Sequence, residues 1–173
     1  FRPVYDQSEG GDGFVSIEVS PGAARNADRT RDEARSLWRQ VARPNLMVKI
    51  PGTMEGAPII REMLAEGINI NITLLFSIES YARVAEAYVE ALAERQSAGK
   101  PVDRIASVAS FFVSRVDTLV DKLLDQKIAE TGNQDLAALK GKAAVANAKL
   151  AYEKFGEIFS GPRWEKLAAA GAR

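Results

Sequence analysis

Apolar positions along the chain switch between two periods. Residues 14–19 (Phe-Val-Ser-Ile-Glu-Val) alternate with period two and are rich in β-branched side chains, which predicts a strand. Thr30-Arg-Asp-Glu33 reads as a capping box, opening a helix with Ala34, Leu37, Trp38 and Val41 on one face. Arg43-Pro44 ends that helix, and Leu46–Ile50 predicts a second strand. After the turn Pro51-Gly-Thr53, a helix over 57–66 turns Ile60, Met63 and Leu64 inward and stops at Gly67. Ile68–Leu75 predicts a third strand, and Ser77 caps a long helix carrying Ile78, Tyr81, Val84, Ala85, Tyr88 and Leu92. Gly99-Lys-Pro101 breaks the chain before a fourth strand, 105–112. A helix over 114–128 then places Val116, Leu119, Val120, Leu123 and Leu124 inward. Past Thr131-Gly-Asn133, an Ala-rich helix is expected over 135–159, and a short one follows Ser160-Gly-Pro162.

The order βαβαβαβα makes the fold class α/β with parallel strands, because helical crossovers are the short way to join parallel neighbours. An open doubly wound sheet and a piece of a (β/α)₈ barrel both fit. A whole barrel typically needs about 250 residues, so 173 residues supply only a portion. Neither GxGxxG nor GxxxxGK[ST] occurs, so nucleotide-binding versions of the fold lack their phosphate motif. Gly10-Gly-Asp-Gly13 precedes a strand and belongs to a flexible lead-in loop over residues 1–13.

Strand parity picks out a candidate site. Lys49 stands alone in an apolar strand, and a cation there needs a close partner or a use as an amine. Lysines with depressed pKa form Schiff bases with carbonyl substrates. Glu18 shares a face with Phe14 and Ser16; Lys49 lies with Met47; Asn69, Asn71 and Thr73 oppose Ile68, Ile70, Ile72 and Leu74; Ser110 lies with Ala106 and Val108. Glu18, Lys49, Thr73 and Ser110 sit late in four strands, at the end where active sites form in such folds. A one-residue slip in any strand would undo that convergence. Each residue also has a structural reading: Lys49 with Glu18 as an ion pair, the Asn and Thr groups satisfying one another, Ser110 as small core, and Arg115 paired with Asp117. Arg115, at a helix start, alternatively suits a phosphate. Arg31-Asp-Glu33 and Arg35 read as a solvated face, and Tyr81 and Tyr88 as helix packing.

Composition narrows the chemistry. Lys+Arg and Asp+Glu are both 23, which argues against a broad nucleic-acid surface but not against a local anion site. With no Cys and no His, disulfides, thiolate nucleophiles, Ser-His triads and His-ligated metals are excluded within this chain. Proton transfer must use carboxylates, Lys, Tyr, hydroxyls or water. No apolar run is long enough to span a membrane, and the cytoplasm is the expected compartment.

Three segments carry a resemblance: Asn45-Leu-Met-Val-Lys-Ile-Pro-Gly-Thr53, Glu66-Gly-Ile-Asn-Ile-Asn-Ile-Thr-Leu-Leu-Phe-Ser77 and Ala106-Ser-Val-Ala-Ser-Phe-Phe-Val-Ser-Arg-Val-Asp117. With Val15-Ser-Ile-Glu-Val19, they resemble transaldolase, and Gly141–Tyr152 resembles its longer, actinobacterial type. The resemblance implies a (β/α)₈ barrel that moves a dihydroxyacetone unit from a ketose phosphate to an aldose phosphate, in the non-oxidative pentose phosphate pathway, with no metal and no thiamine. It implies that Lys49 forms the Schiff base, and that Glu18 and Thr73 handle the water of imine formation and hydrolysis. Asn71 and Ser110 would contact substrate, Phe112 would flank the water site, and Arg115 would bind phosphate. The four strands match barrel strands three to six. The family's Asp on strand one and its second phosphate-binding Arg near strand seven have no counterpart here. The resemblance therefore implies an imine-forming chain that turns over poorly alone. A related Schiff-base aldolase and a noncatalytic half-barrel, pairing through open sheet edges with another copy, are the competing expectations.

Overall fold

The computed structural model describes residues 1–173. A short helix α1 (Arg2–Gln7) lies within the lead-in segment. Then follow β1 (Val15–Glu18), α2 (Ala27–Val41), β2 (Leu46–Pro51), α3 (Gly56–Glu66), β3 (Ile70–Leu75), α4 (Ile78–Ser97), β4 (Ser107–Phe111), α5 (Ser114–Thr131), α6 (Ala143–Ile158) and α7 (Gly161–Ala169). The four strands are parallel, and their order in the sheet follows the chain, β1-β2-β3-β4. A doubly wound sheet reverses its order at a switch point; this one does not. Right-handed crossovers in an unreversed order place the helices on one side. The core accordingly joins Leu46, Val48, Ile50, Ile70 and Ile72 of the sheet to Ile59, Ile60, Met63 and Leu64 of α3 and Val84 and Leu92 of α4.

Several expectations are corrected by local geometry. The Thr30–Glu33 capping box does not form: α2 starts one turn earlier, with the Asn26 side chain accepting from Arg29 N–H at 2.9 Å. Thr30 is buried and donates to Ala23 C=O, while Glu33 accepts from the Ser20 backbone N–H and hydroxyl at 2.7 and 2.8 Å. The expected solvated face of α2 is an ion-pair seam, in which Arg31 and Arg35 reach Glu62 and Glu66 of α3. The Ala-rich helix is interrupted: Gln134–Leu139 is 3₁₀, and Gly141 at φ +70° turns the chain into α6.

The third strand slips within its own length. Its register against β4 shifts between Ile72 and Leu75, and Leu74 takes φ +59°. Leu74, expected in the core, is exposed, and Leu75 takes its place fully buried. A branched side chain at positive φ costs roughly 1–2 kcal/mol, so the surrounding contacts must hold it there.

The expected inward stripe of α5 forms only in part: Val116, Val120 and Leu124 are half-buried, and no residue of that helix is fully buried. Leu119 and Leu123 are more than half exposed. The helix packs against the 3₁₀ segment and α6 and lies away from the sheet. Three aspartates at four-residue spacing secure this contact. Asp117 accepts from Ala144 N–H, Asp121 accepts from Gly141 N–H, both at 2.9 Å, and Asp125 pairs with Lys140 Nζ at 2.7 Å. At the other edge, Val15 and Ile17 of β1 are exposed because α2 covers β2 instead.

Candidate active site

Register decides which strand residues meet. Glu18 pairs with Lys49 and Lys49 with Asn71 across neighbouring parallel strands, so all three share the face opposite the helices. Asn71 pairs in turn with Val108, and Ser110 lies two residues on, again on that face. Lys49 Nζ stands 3.3 Å from Glu18 Oε2, and both side chains are partly solvent-exposed. A pair of this kind contributes at most about 1 kcal/mol to stability. Lys49 therefore has the close partner its position demands while its amine remains reachable.

Beside this pair runs a polar relay. Ser110 Oγ donates to Asn71 Oδ1 at 2.9 Å, and Asn71 Nδ2 donates to Ser16 Oγ at 3.0 Å. β1 and β3 are separated by β2, which puts their backbones roughly 10 Å apart on a flat sheet. A direct Asn71–Ser16 bond requires the sheet to curl toward this face, as a barrel wall does. Ser16 is a site residue that parity alone could have supplied, since it shares a face with Glu18.

The other candidates fall into two groups. Thr73 pairs with Pro51, two residues past Lys49, and is buried, with no hydrogen bond to Lys49 or Glu18. Phe112 follows β4, its N–H bonded to Leu75 C=O at 2.9 Å. Its ring stacks on Phe76 at 5.0 Å between centroids and 19° between planes. The Arg115 guanidinium lies 4.5 Å over the same Phe112 ring. No carboxylate lies within 4.0 Å of Arg115, and Asp117, its expected alternative partner, is engaged with α6 instead. The Arg115 guanidinium is therefore held against the ring and paired with no carboxylate. Phe76, which places the stack, lies within the Glu66–Ser77 segment, but its sequence position alone does not mark the stack.

Asn69, by contrast, is structural. Its amide donates to Pro44 and Leu46 carbonyls, and its oxygen accepts from Ala106 N–H, tying three strands together below the site. A cavity of about 600 Å³ lies on the helix side among Tyr81, Tyr88, Phe155, Phe159 and Trp164 and contains none of the candidate residues. An apolar groove without converging polar groups is packing left open, and the open inner face is where the chemistry-bearing side chains meet.

Residues 3–169 match the family Transaldolase/Fructose-6-phosphate aldolase. A transaldolase of Thermobifida fusca (strain YX) is 53% identical over 172 residues, covering 99% of this chain and 46% of that protein. A transaldolase of Trichodesmium erythraeum (strain IMS101) is 48% identical over 177 residues, covering 100% of this chain and 47% of that protein. Transaldolase 1 of Streptomyces avermitilis is 52% identical over 171 residues, covering 99% of this chain and 44% of that protein. The chain thus spans about half the length of the curated relatives it matches. Family match and identity extend along nearly all of its residues, through the strands that bear Glu18, Lys49, Asn71 and Ser110, and on these grounds the chain belongs to the transaldolase/fructose-6-phosphate aldolase family.

Proposed function

We propose that this chain carries the imine-forming part of a transaldolase, one partial-barrel domain over residues 1–173 that takes ketose phosphates in the cytoplasm. Lys49 Nζ attacks the ketose carbonyl carbon, a C–N bond forms, and the carbonyl oxygen leaves as water after protonation. Glu18, the carboxylate 3.3 Å away, takes the proton lost from the amine and returns it to the departing oxygen. Thr73 sits two residues further along the ladder, on the same strand face, and its hydroxyl orients that water. In a complete barrel the iminium then withdraws the electron pair of the C3–C4 bond as a base takes the C4 hydroxyl proton, the aldose leaves, and a second aldehyde captures the remaining enamine. Asn71 and Ser110 hold the dihydroxyacetone hydroxyls, Phe112 shields the water, and Arg115 takes the phosphate.

The observation that carries this reading is the exposed Lys49–Glu18 pair beside the Asn71–Ser110 bond on the concave face. The C3–C4 cleavage needs a base at the C4 hydroxyl, and Glu18 is the only carboxylate within 4.0 Å of Lys49. Imine formation is therefore assigned to this chain and full turnover is not. The relatives named transaldolase favour the transferase over the aldolase of the same family.

Borohydride reduction with fructose 6-phosphate, followed by peptide mapping, tests the assignment. The expected label is a single adduct on Lys49, absent in Lys49→Met; a label on any other lysine overturns it. A second reading, a half-barrel that assembles with another copy, is favoured by the exposed edge and the uncovered stripe of α5. A dimer that leaves Lys49 unlabelled would select that reading.

A further inference from the structure

We infer that Asn147, on α6, is a positioning residue for the phosphate subsite, acting through the aromatic stack that carries Arg115. The inference rests on the phosphate role proposed for Arg115. Asn147 Nδ2 donates to Phe76 C=O at 2.9 Å, across 71 residues of sequence. Phe76 lies immediately after the strained end of β3, where Leu74 is held at positive φ. Its ring stacks on Phe112, and Phe112 carries the Arg115 guanidinium. One hydrogen bond therefore connects a remote helix to the only cation stacked at this end of β4.

The anchor at the other end of this path is also fixed. The first turn of α6 is held by Asp117, which lies two residues from Arg115 on α5. α6 thus grips both loops that build the subsite, the β4–α5 junction through Asp117 and the β3–α4 junction through Asn147. Asn147 is partly buried and makes no other side-chain hydrogen bond, so its amide has no competing role. An asparagine within a helix is otherwise unfavourable relative to alanine, the residue that dominates this segment. Without its N–H donor the Phe76 carbonyl turns to water, the stack loosens, and the guanidinium loses its fixed direction.

The test compares wild type, Asn147→Ala, Asn147→Asp and Asn147→Gln, with Arg115→Ala as the reference for a lost phosphate contact. Calorimetric binding of fructose 6-phosphate is measured beside borohydride labelling of Lys49 with dihydroxyacetone, which has no phosphate. Loss of one hydrogen bond predicts weaker fructose 6-phosphate binding by about three- to tenfold in Asn147→Ala. Asn147→Asp, equal in size but without the donor, behaves alike, and Asn147→Gln restores part of the affinity. Dihydroxyacetone labelling stays at the wild-type level in the three Asn147 variants. Unchanged sugar phosphate binding in Asn147→Ala overturns the inference, as does an equal loss with both ketoses or wild-type protein that binds no sugar phosphate. If binding falls as expected while Lys49 is never labelled, the inference stands and the imine chemistry fails.

Discussion

Glu18 and Lys49 are both partly exposed, so their attraction is screened by water and their pairing adds little to folding. Glu18→Gln should change urea-measured stability by less than about 1 kcal/mol. It should slow borohydride labelling of Lys49 by at least about tenfold, because proton transfer loses its carboxylate. A large stability loss with undiminished labelling would make the pair structural. Glu33 shows the opposite balance. Its carboxyl is held below the usual carboxylate value of 4.5, first by the hydrogen bond from Arg29 and then by those from Ser20. A folded-state value below the unfolded one means a contribution present at neutral pH and lost as acid protonates the folded carboxylate. Glu33→Gln should therefore be less stable than wild type near pH 7, with the gap closing below about pH 4 in denaturant titrations. Both carboxylates were visible as residues. Only the direction of Glu18 toward Lys49 is legible, because strand parity states direction, whereas Ser20, which also bonds Glu33, lies in a loop 13 residues away.

At the scale of elements, the contact between α5 and α6 depends on the ladder of Asp117, Asp121 and Asp125. Asp117 satisfies a free N–H of the first turn of α6 and places negative charge at its positive end. Asp117→Ala should cost about 1 kcal/mol. It should also speed proteolytic cleavage within residues 134–144, while the sheet and α4 remain protected. Cleavage at the wild-type rate would show that the ladder is incidental. The four-residue spacing of the aspartates was legible, but spacing alone fits a solvated helix face equally well. Helix boundaries were read well where a cap or glycine acts locally, as at Ser77 and Gly67, each seen in that role. The reading failed at Thr30–Glu33, where two residues of a good local signal are drawn away by contacts to Ala23 and Ser20. It failed again at Leu74, where the register against β4 shifts between Ile72 and Leu75 and no local period marks the slip.

For the molecule as a whole, four parallel βα units in an open, unreversed sheet form a portion of the family's (β/α)₈ barrel. Two regions of apolar surface lie uncovered at opposite edges: Val15 and Ile17 on β1, and Leu119 and Leu123 on α5. Exposed apolar stripes beside a strand edge favour self-association. Light scattering should show mass rising with protein concentration, and Leu119→Lys with Leu123→Lys should reduce that rise without lowering stability, since neither residue is buried. Mass that stays at the monomer value across concentration would set this aside. The sequence by itself determined the order of the four βα units, the parallel sheet and the polar face bearing Glu18, Lys49, Asn71 and Ser110, because period and parity are local properties of the chain. It also carried the family resemblance in contiguous segments. Tertiary structure alone decided the curl that joins Asn71 to Ser16, the slip at Leu74, the bare stripe of α5 and the reach of Asn147 to Phe76. Each of these depends on how separate elements share space, and no local period encodes that.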